Sequence, residues 1–196
     1  MKNWIKKGFI GGATEEHIVA NTLSRAMVFA MLYSIFGWCY EVFLEVVVYQ
    51  WGFTNRGVLF GPYCPVYGFG ALAFIALVYP MIRGRDRRRK LVMIPVVFLL
   101  CMLIATAIEL GASYLMEAAT GSWPWQTYAD YKYNFQARIA LSPSIRFGIG
   151  GWLFLYVLQP IFEHMCDRMG DKRVRYAALI SLIILAVDCL FTFVIH

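Results

Sequence analysis

The chain has 196 residues, 60% hydrophobic and 17% aromatic, with a formal charge of +6 and a mean hydropathy of +0.60. Soluble domains are roughly half apolar, so this composition excludes a water-soluble globular protein. It predicts an all-α fold: a polytopic integral membrane bundle, a multi-pass protein of the cell membrane. The basic residues cluster at helix ends and are not interleaved with aromatics, which excludes a nucleic-acid partner.

Residues 1–25 form an expected cytoplasmic N-terminal arm, read either as a short amphipathic surface helix interrupted at Gly11-Gly12 or as a basic tail. The arm is polar with no apolar core, so no cleavable signal peptide is expected. Residues 26–196 are read as one membrane domain with five transmembrane helices at about 26–49, 66–82, 91–116, 145–165 and 176–195. Between the first two lies a stretch with four glycines and two prolines in sixteen residues, Asn55 to Gly70. It predicts a Gly/Pro-broken lead into helix 2, with regular helix resuming from about Pro65 or Val66, or else a tight interhelical turn.

Residues 83–90 are the densest charge run, a topology signal that also touches anionic headgroups or serves as a small docking surface. Pro95 fits the first turns of helix 3. Residues 119–144 form the longest connection, and their aromatic density predicts an aromatic outer loop lying at the membrane surface. Gly148, Gly150 and Gly151 offer helix 4 a close contact. The Gly57/Gly61 and Gly148/Gly151 faces also suit packing on another membrane protein in a homo- or hetero-oligomer. Cys39, Cys64, Cys101, Cys166 and Cys189 have no paired spacing and the three histidines are far apart, so neither a disulfide framework, a metal site nor a cofactor is expected.

Fourteen lysines and arginines fall on one side of a five-span arrangement and four on the other, which predicts an N-in, C-out orientation. Glu41 and Glu45 in helix 1, Glu109 and Glu117 in helix 3 and Asp188 in helix 5 each cost roughly 2.5–3.5 kcal/mol at mid-bilayer, so each needs a partner. At about 1.5 Å per residue, Glu41, Glu109 and Asp188 lie in the outer half. Arg56, Arg138 and Arg146 are the cations on that side, and guanidinium–carboxylate pairing predicts one outward-opening polar cluster. Two main readings stand side by side, a structural salt-bridge network and a substrate or ion site; a catalytic carboxylate pair is a third. No nucleotide-binding or catalytic signature is present, so no catalytic residue is assigned and a nucleotide-driven step requires a separate ATPase subunit.

Phe36-Gly37-Trp38-Cys39-Tyr40-Glu41, the run from Asn55-Arg56-Gly57 through Gly61-Pro62-Tyr63-Cys64-Pro65-Val66-Tyr67-Gly68, Thr106 to Glu109, Met116-Glu117, Asn134 to Arg138 and Asp188 together carry a family resemblance. From about residue 30 to 195 the chain resembles the ABC-transporter type IV, CmpB-like permeases of bacterial membranes. It departs at Trp125-Gln126-Thr127-Tyr128, where the family pattern carries an acid. The resemblance implies a transporter permease or transport-associated subunit. Its substrate-binding residues would then be Glu41, Glu45, Asn55, Arg56, Tyr67, Glu109, Glu117, Asn134, Arg138 and Asp188. A membrane enzyme acting on a lipid or envelope precursor and a non-catalytic assembly partner remain alternatives.

Overall fold

The computed structural model describes residues 15–123 and 125–195, so the reading of residues 1–14 lies outside the described residues. Those described are predominantly helical, with one pair of two-residue strands. Three helices are long and apolar enough to cross a membrane: Val19–Val48, Ile94–Thr120 and Leu141–Met169, while Pro65–Met81 is a shorter apolar helix. The chain forms two compact units, one from the segments up to Leu72 and from Ile161 onward, the other from Ala73 to Pro160.

In the first unit, helix α1 (Glu15–Phe43) continues as a π turn, Leu44–Val48. It begins well before the expected boundary at Ala26, because polar groups in its first turns find partners on the segment around Gly170. Arg25 pairs with Asp167 at 2.6 Å, and Asn21 donates to Asp171 at 2.8 Å. Helix α2 (Pro65–Leu77) starts with a proline whose missing N–H has no intrahelical partner at that position anyway. It stops before Ile82 and gives way to a 3-10 turn, Tyr79–Met81, because Pro80 cannot donate and its ring crowds the preceding turn. Gly68 brings α2 against α1: a Cβ there would lie 2.5 Å from the Ala30 carbonyl oxygen. The intervening strap is fixed by Met31, Leu59 and Tyr63, packed with Leu185 and Cys189.

In the second unit, a short helix, α3 (Arg87–Val92), occupies part of the basic run, capped by Asp86 accepting from the Arg89 N–H. The expected helix from Leu91 is divided at Met93, because Pro95 removes the N–H that would bond Leu91; α4 then runs Ile94–Thr120. The aromatic connection is more ordered than a loop: a 3-10 turn, Gln126–Asp130, precedes strands β1 (Asn134–Phe135) and β2 (Ile139–Ala140). Helix α5 (Leu141–Leu153) follows directly, so it begins earlier than the expected Ile145. A π turn at Phe154–Leu158 precedes α6 (Gln159–Met169), a register change that accommodates Pro160. The chain returns to the first unit, where α7 (Asp171–Leu190) packs on α1 and is followed by a π turn at Phe191–Ile195. The second core joins Phe74, Val78, Val97, Cys101 and Leu155. Gly148 faces Phe98 and Gly151 faces Cys101, while Gly150 faces open space. The expected close contact is therefore made inside the unit, by two of the three glycines.

Candidate functional site

The first unit's polar group surrounds the strap from Thr54 to Cys64. Glu45 is only 3% exposed, held in the π turn, and accepts from Thr54 Oγ1 at 2.6 Å and the Thr54 N–H at 3.3 Å. Arg56 adds an ion pair at 2.9 Å. Asn55 donates to the Phe60 and Leu59 carbonyls at 2.9 and 3.2 Å and accepts from Trp38 Nε1 at 2.8 Å. At the far end, Asp188 accepts from the Gly61 N–H at 2.8 Å, the Phe60 N–H at 3.0 Å, Thr192 Oγ1 at 3.2 Å and the Tyr63 hydroxyl. Two acids thus clamp the two ends of one strap, and the acceptor capacity of Asp188 is filled. The strap bends at Gly57, whose φ of 98° suits glycine.

Tyr67 donates to Glu41, with its ring lying over Gly37, one helical turn earlier on the same face of α1. Burial, then the adjacent Asp188, pushes the Tyr63 phenol above its usual range, so it stays protonated as a donor. Burial also pushes the Cys64 thiol up to about 11, reinforced by Glu41 and opposed by Arg56.

The second unit's group centres on Arg138, which is 6% exposed. Its guanidinium bonds Glu117 at 2.5 Å and Ser113 Oγ at 3.4 Å. It lies between the rings of Tyr114 and Trp123, 4.2 and 4.0 Å from their centroids, a cation–π sandwich. Asn134 is a turn former, donating to the Tyr131 carbonyl at 2.8 Å and accepting from the Ala137 N–H at 3.1 Å. Glu109 accepts from the Tyr128 hydroxyl at 2.8 Å, while its second oxygen is buried without a hydrogen-bond partner among the described residues. Arg56 Nε and Arg138 Nε are in the same position.

A family model described as "Putative ABC-transporter type IV" matches residues 27–193. The chain belongs to this family. Searches of the curated proteins and of the solved structures found no match. For a member of the ABC-transporter type IV family, the match and the three apolar helices mark a transport-related membrane protein.

Arginine pairing was expected for the acids of this family member as a set. The structure divides them: Glu45 and Glu117 take arginines, whereas Glu41, Glu109 and Asp188 take tyrosine hydroxyls from Tyr67, Tyr128 and Tyr63. Arg146 donates to the Tyr131 and Ser142 hydroxyls, at 2.9 and 3.3 Å. Sequence reasoning left out Thr54, Tyr63, Tyr114, Trp123 and Tyr128. The available signal was chemical, since a buried carboxylate needs donors and tyrosine is the commonest one near these acids.

Proposed function

We propose that the chain is the permease, or a transport-associated membrane subunit, of an ABC-type transporter of the cell membrane. It crosses the bilayer five times, the three long apolar helices being joined by Pro65–Met81 and the helix from Asp171. The N-terminus and the basic 83–90 run face the cytoplasm and the C-terminus faces out, in keeping with the Lys and Arg distribution. A separate ATPase supplies the energy; Glu41, Glu45, Arg56 and Asp188 in the first unit form one outward-facing charged group, and Glu109, Glu117 and Arg138 in the second unit form another.

The observation that carries this reading is the family match over residues 27–193 in a chain whose intrahelical acids hold specific donors. Affinity purification from native membranes in mild detergent tests it: an ATPase should copurify and remain bound after Glu109→Gln, while transport stops. Recovery of the protein with no ATPase, together with normal function of both Glu41→Gln and Glu109→Gln, removes the reading.

One observation favours a second reading, a membrane enzyme acting on a lipid or envelope precursor. Glu109 presents a buried oxygen without a hydrogen-bond partner among the described residues, as a general acid or base does before its substrate arrives. Turnover of a lipid precursor by the purified chain without an ATPase would select it.

A further inference from the structure

The basic run between the 3-10 turn at Tyr79–Met81 and α4 is held in place at both ends, within the second unit. Gly84, at φ 67°, turns the chain, and Asp86 caps α3 by accepting from the Arg89 N–H at 3.3 Å. The Tyr156 hydroxyl donates to the Lys90 carbonyl at 2.6 Å. The cations then divide. Arg83 lies over the Tyr79 ring, 5.9 Å from its centroid, whereas Arg85, Arg88 and Arg89 line a hollow of about 660 Å³. That volume is ordinary for a ligand pocket. Asp86, Met81, Val92 and Met93 complete the lining.

Three guanidiniums against one carboxylate leave the hollow a surplus of two positive charges. Asp86 is already engaged, as the cap of α3 and 3.9 Å from Arg89 Nε. Arg85 and Arg88 are exposed, and their guanidiniums hold no partner among the described residues. Val92 follows Arg88 by four positions and Arg89 by three, so charge and apolar surface share one side of α3. Val92 is 70% exposed, and the helix that follows, Ile94–Thr120, is long and apolar enough to cross a membrane. The hollow thus stands where charge gives way to hydrocarbon. An acidic protein surface would match the arginines but not the bare valine and methionines beside them; an anionic lipid matches both.

We propose that this hollow binds a phospholipid with two phosphodiester groups, of the diphosphatidylglycerol type. Its phosphates lie on Arg85, Arg88 and Arg89, and the first carbons of its acyl chains lie against Met81, Val92 and Met93. Guanidinium forks pair bidentately with phosphate oxygens, and two phosphodiesters carry the two negative charges that the surplus requires. Basic pockets beside membrane helices take lipid head groups of this kind. A built site differs from a general attraction of basic residues to anionic membranes, because it distinguishes one head group from another of equal total charge. The inference goes beyond the transport reading and does not depend on it, since lipid binding is measured on the chain alone.

The test is native mass spectrometry of the full chain in mild detergent, titrated with diphosphatidylglycerol, phosphatidylglycerol at twice the molar amount, phosphatidylcholine and, in competition, a polyglutamate peptide. Diphosphatidylglycerol should saturate at one per chain and bind at least tenfold more tightly than phosphatidylglycerol. Arg85→Gln and Arg88→Gln should each weaken it about tenfold. Arg87→Gln removes the same charge from the same run outside the hollow, and should change it less than twofold. All three arginines are exposed, so none of the variants strands a buried partner. Equal binding of phosphatidylglycerol at matched charge, a loss in Arg87→Gln as large as in Arg88→Gln, unchanged affinity in both lining variants, or displacement of the lipid by polyglutamate would overturn the assignment.

Discussion

Asp188 and Tyr63, 125 positions apart, meet in a hydrogen bond that fastens the glycine-proline strap to the last helix. The same carboxylate caps two backbone N–H groups of the strap, at Phe60 and Gly61, so a single side chain satisfies three donors.

Replacing Asp188 with Ala therefore leaves those donors without their acceptor. The expected loss of stability is about 1–3 kcal/mol, the usual cost of stranding partly buried polar groups. Asp188→Asn should lose less, because its carbonyl still accepts. Apparent melting temperatures in detergent check the order; an Ala variant as stable as the parent would contradict the clamp.

Gly37 provides the space in which Tyr67 reaches Glu41. A methyl group there meets the tyrosine ring, so Gly37→Ala should destabilise by about 1–3 kcal/mol through overpacking. In a double-mutant cycle, Tyr67→Phe and Glu41→Gln should be non-additive by about 1 kcal/mol or more. Additive effects would mean the two side chains act separately.

Neighbouring glycines in α5 should respond oppositely. A Cβ on Gly151 would meet Cys101 at its own Cβ, an atom that cannot swing aside, so Gly151→Ala should cost about 1–3 kcal/mol. Gly150 faces open space, and Gly150→Ala should be neutral or stabilising by up to about 1 kcal/mol through reduced backbone entropy. Thermal unfolding of the two variants side by side reads the difference.

The Cys64 thiol, pushed up to about 11 by burial, remains neutral through the physiological range. Alkylation at Cys64 should therefore be slow at pH 8 and accelerate only as pH approaches 11. The sign for stability follows: above the ordinary thiol range the unfolded chain releases this proton first, so this group's contribution falls as pH rises toward 11. Mass-spectrometric mapping of alkylated cysteines against pH measures the first effect, and rapid labelling at neutral pH would contradict the buried setting.

Much of the charged region was legible from composition alone, because an acid inside an apolar helix has to find a partner whatever the fold. That arginines serve some of these acids follows from that rule, as Arg56 does Glu45 and Arg138 does Glu117, but which arginine meets which acid does not. The tyrosine donors did not, since nothing in a linear pattern tells a phenol aimed at a carboxylate from one at an interface. The hairpin at Asn134–Ala140 escaped for a related reason: its turn uses Gln136 and Ala137 at positive φ, held by Trp123 Nε1 and Trp125 Nε1 donating to the Ala137 and Arg138 carbonyls.

Hydrophobic run length set the helical, membrane-embedded character, because covering hydrocarbon thickness demands about twenty apolar residues that satisfy their own backbone bonds. The proline at 65 likewise marked a helix start, whereas the one at 95 broke the helix expected from Leu91, since a missing N–H acts through its immediate neighbours. Which donor each acid takes, and which glycines meet a facing helix, depend on side chains brought together from distant positions. Those pairings are three-dimensional properties, and only folding of the chain creates them.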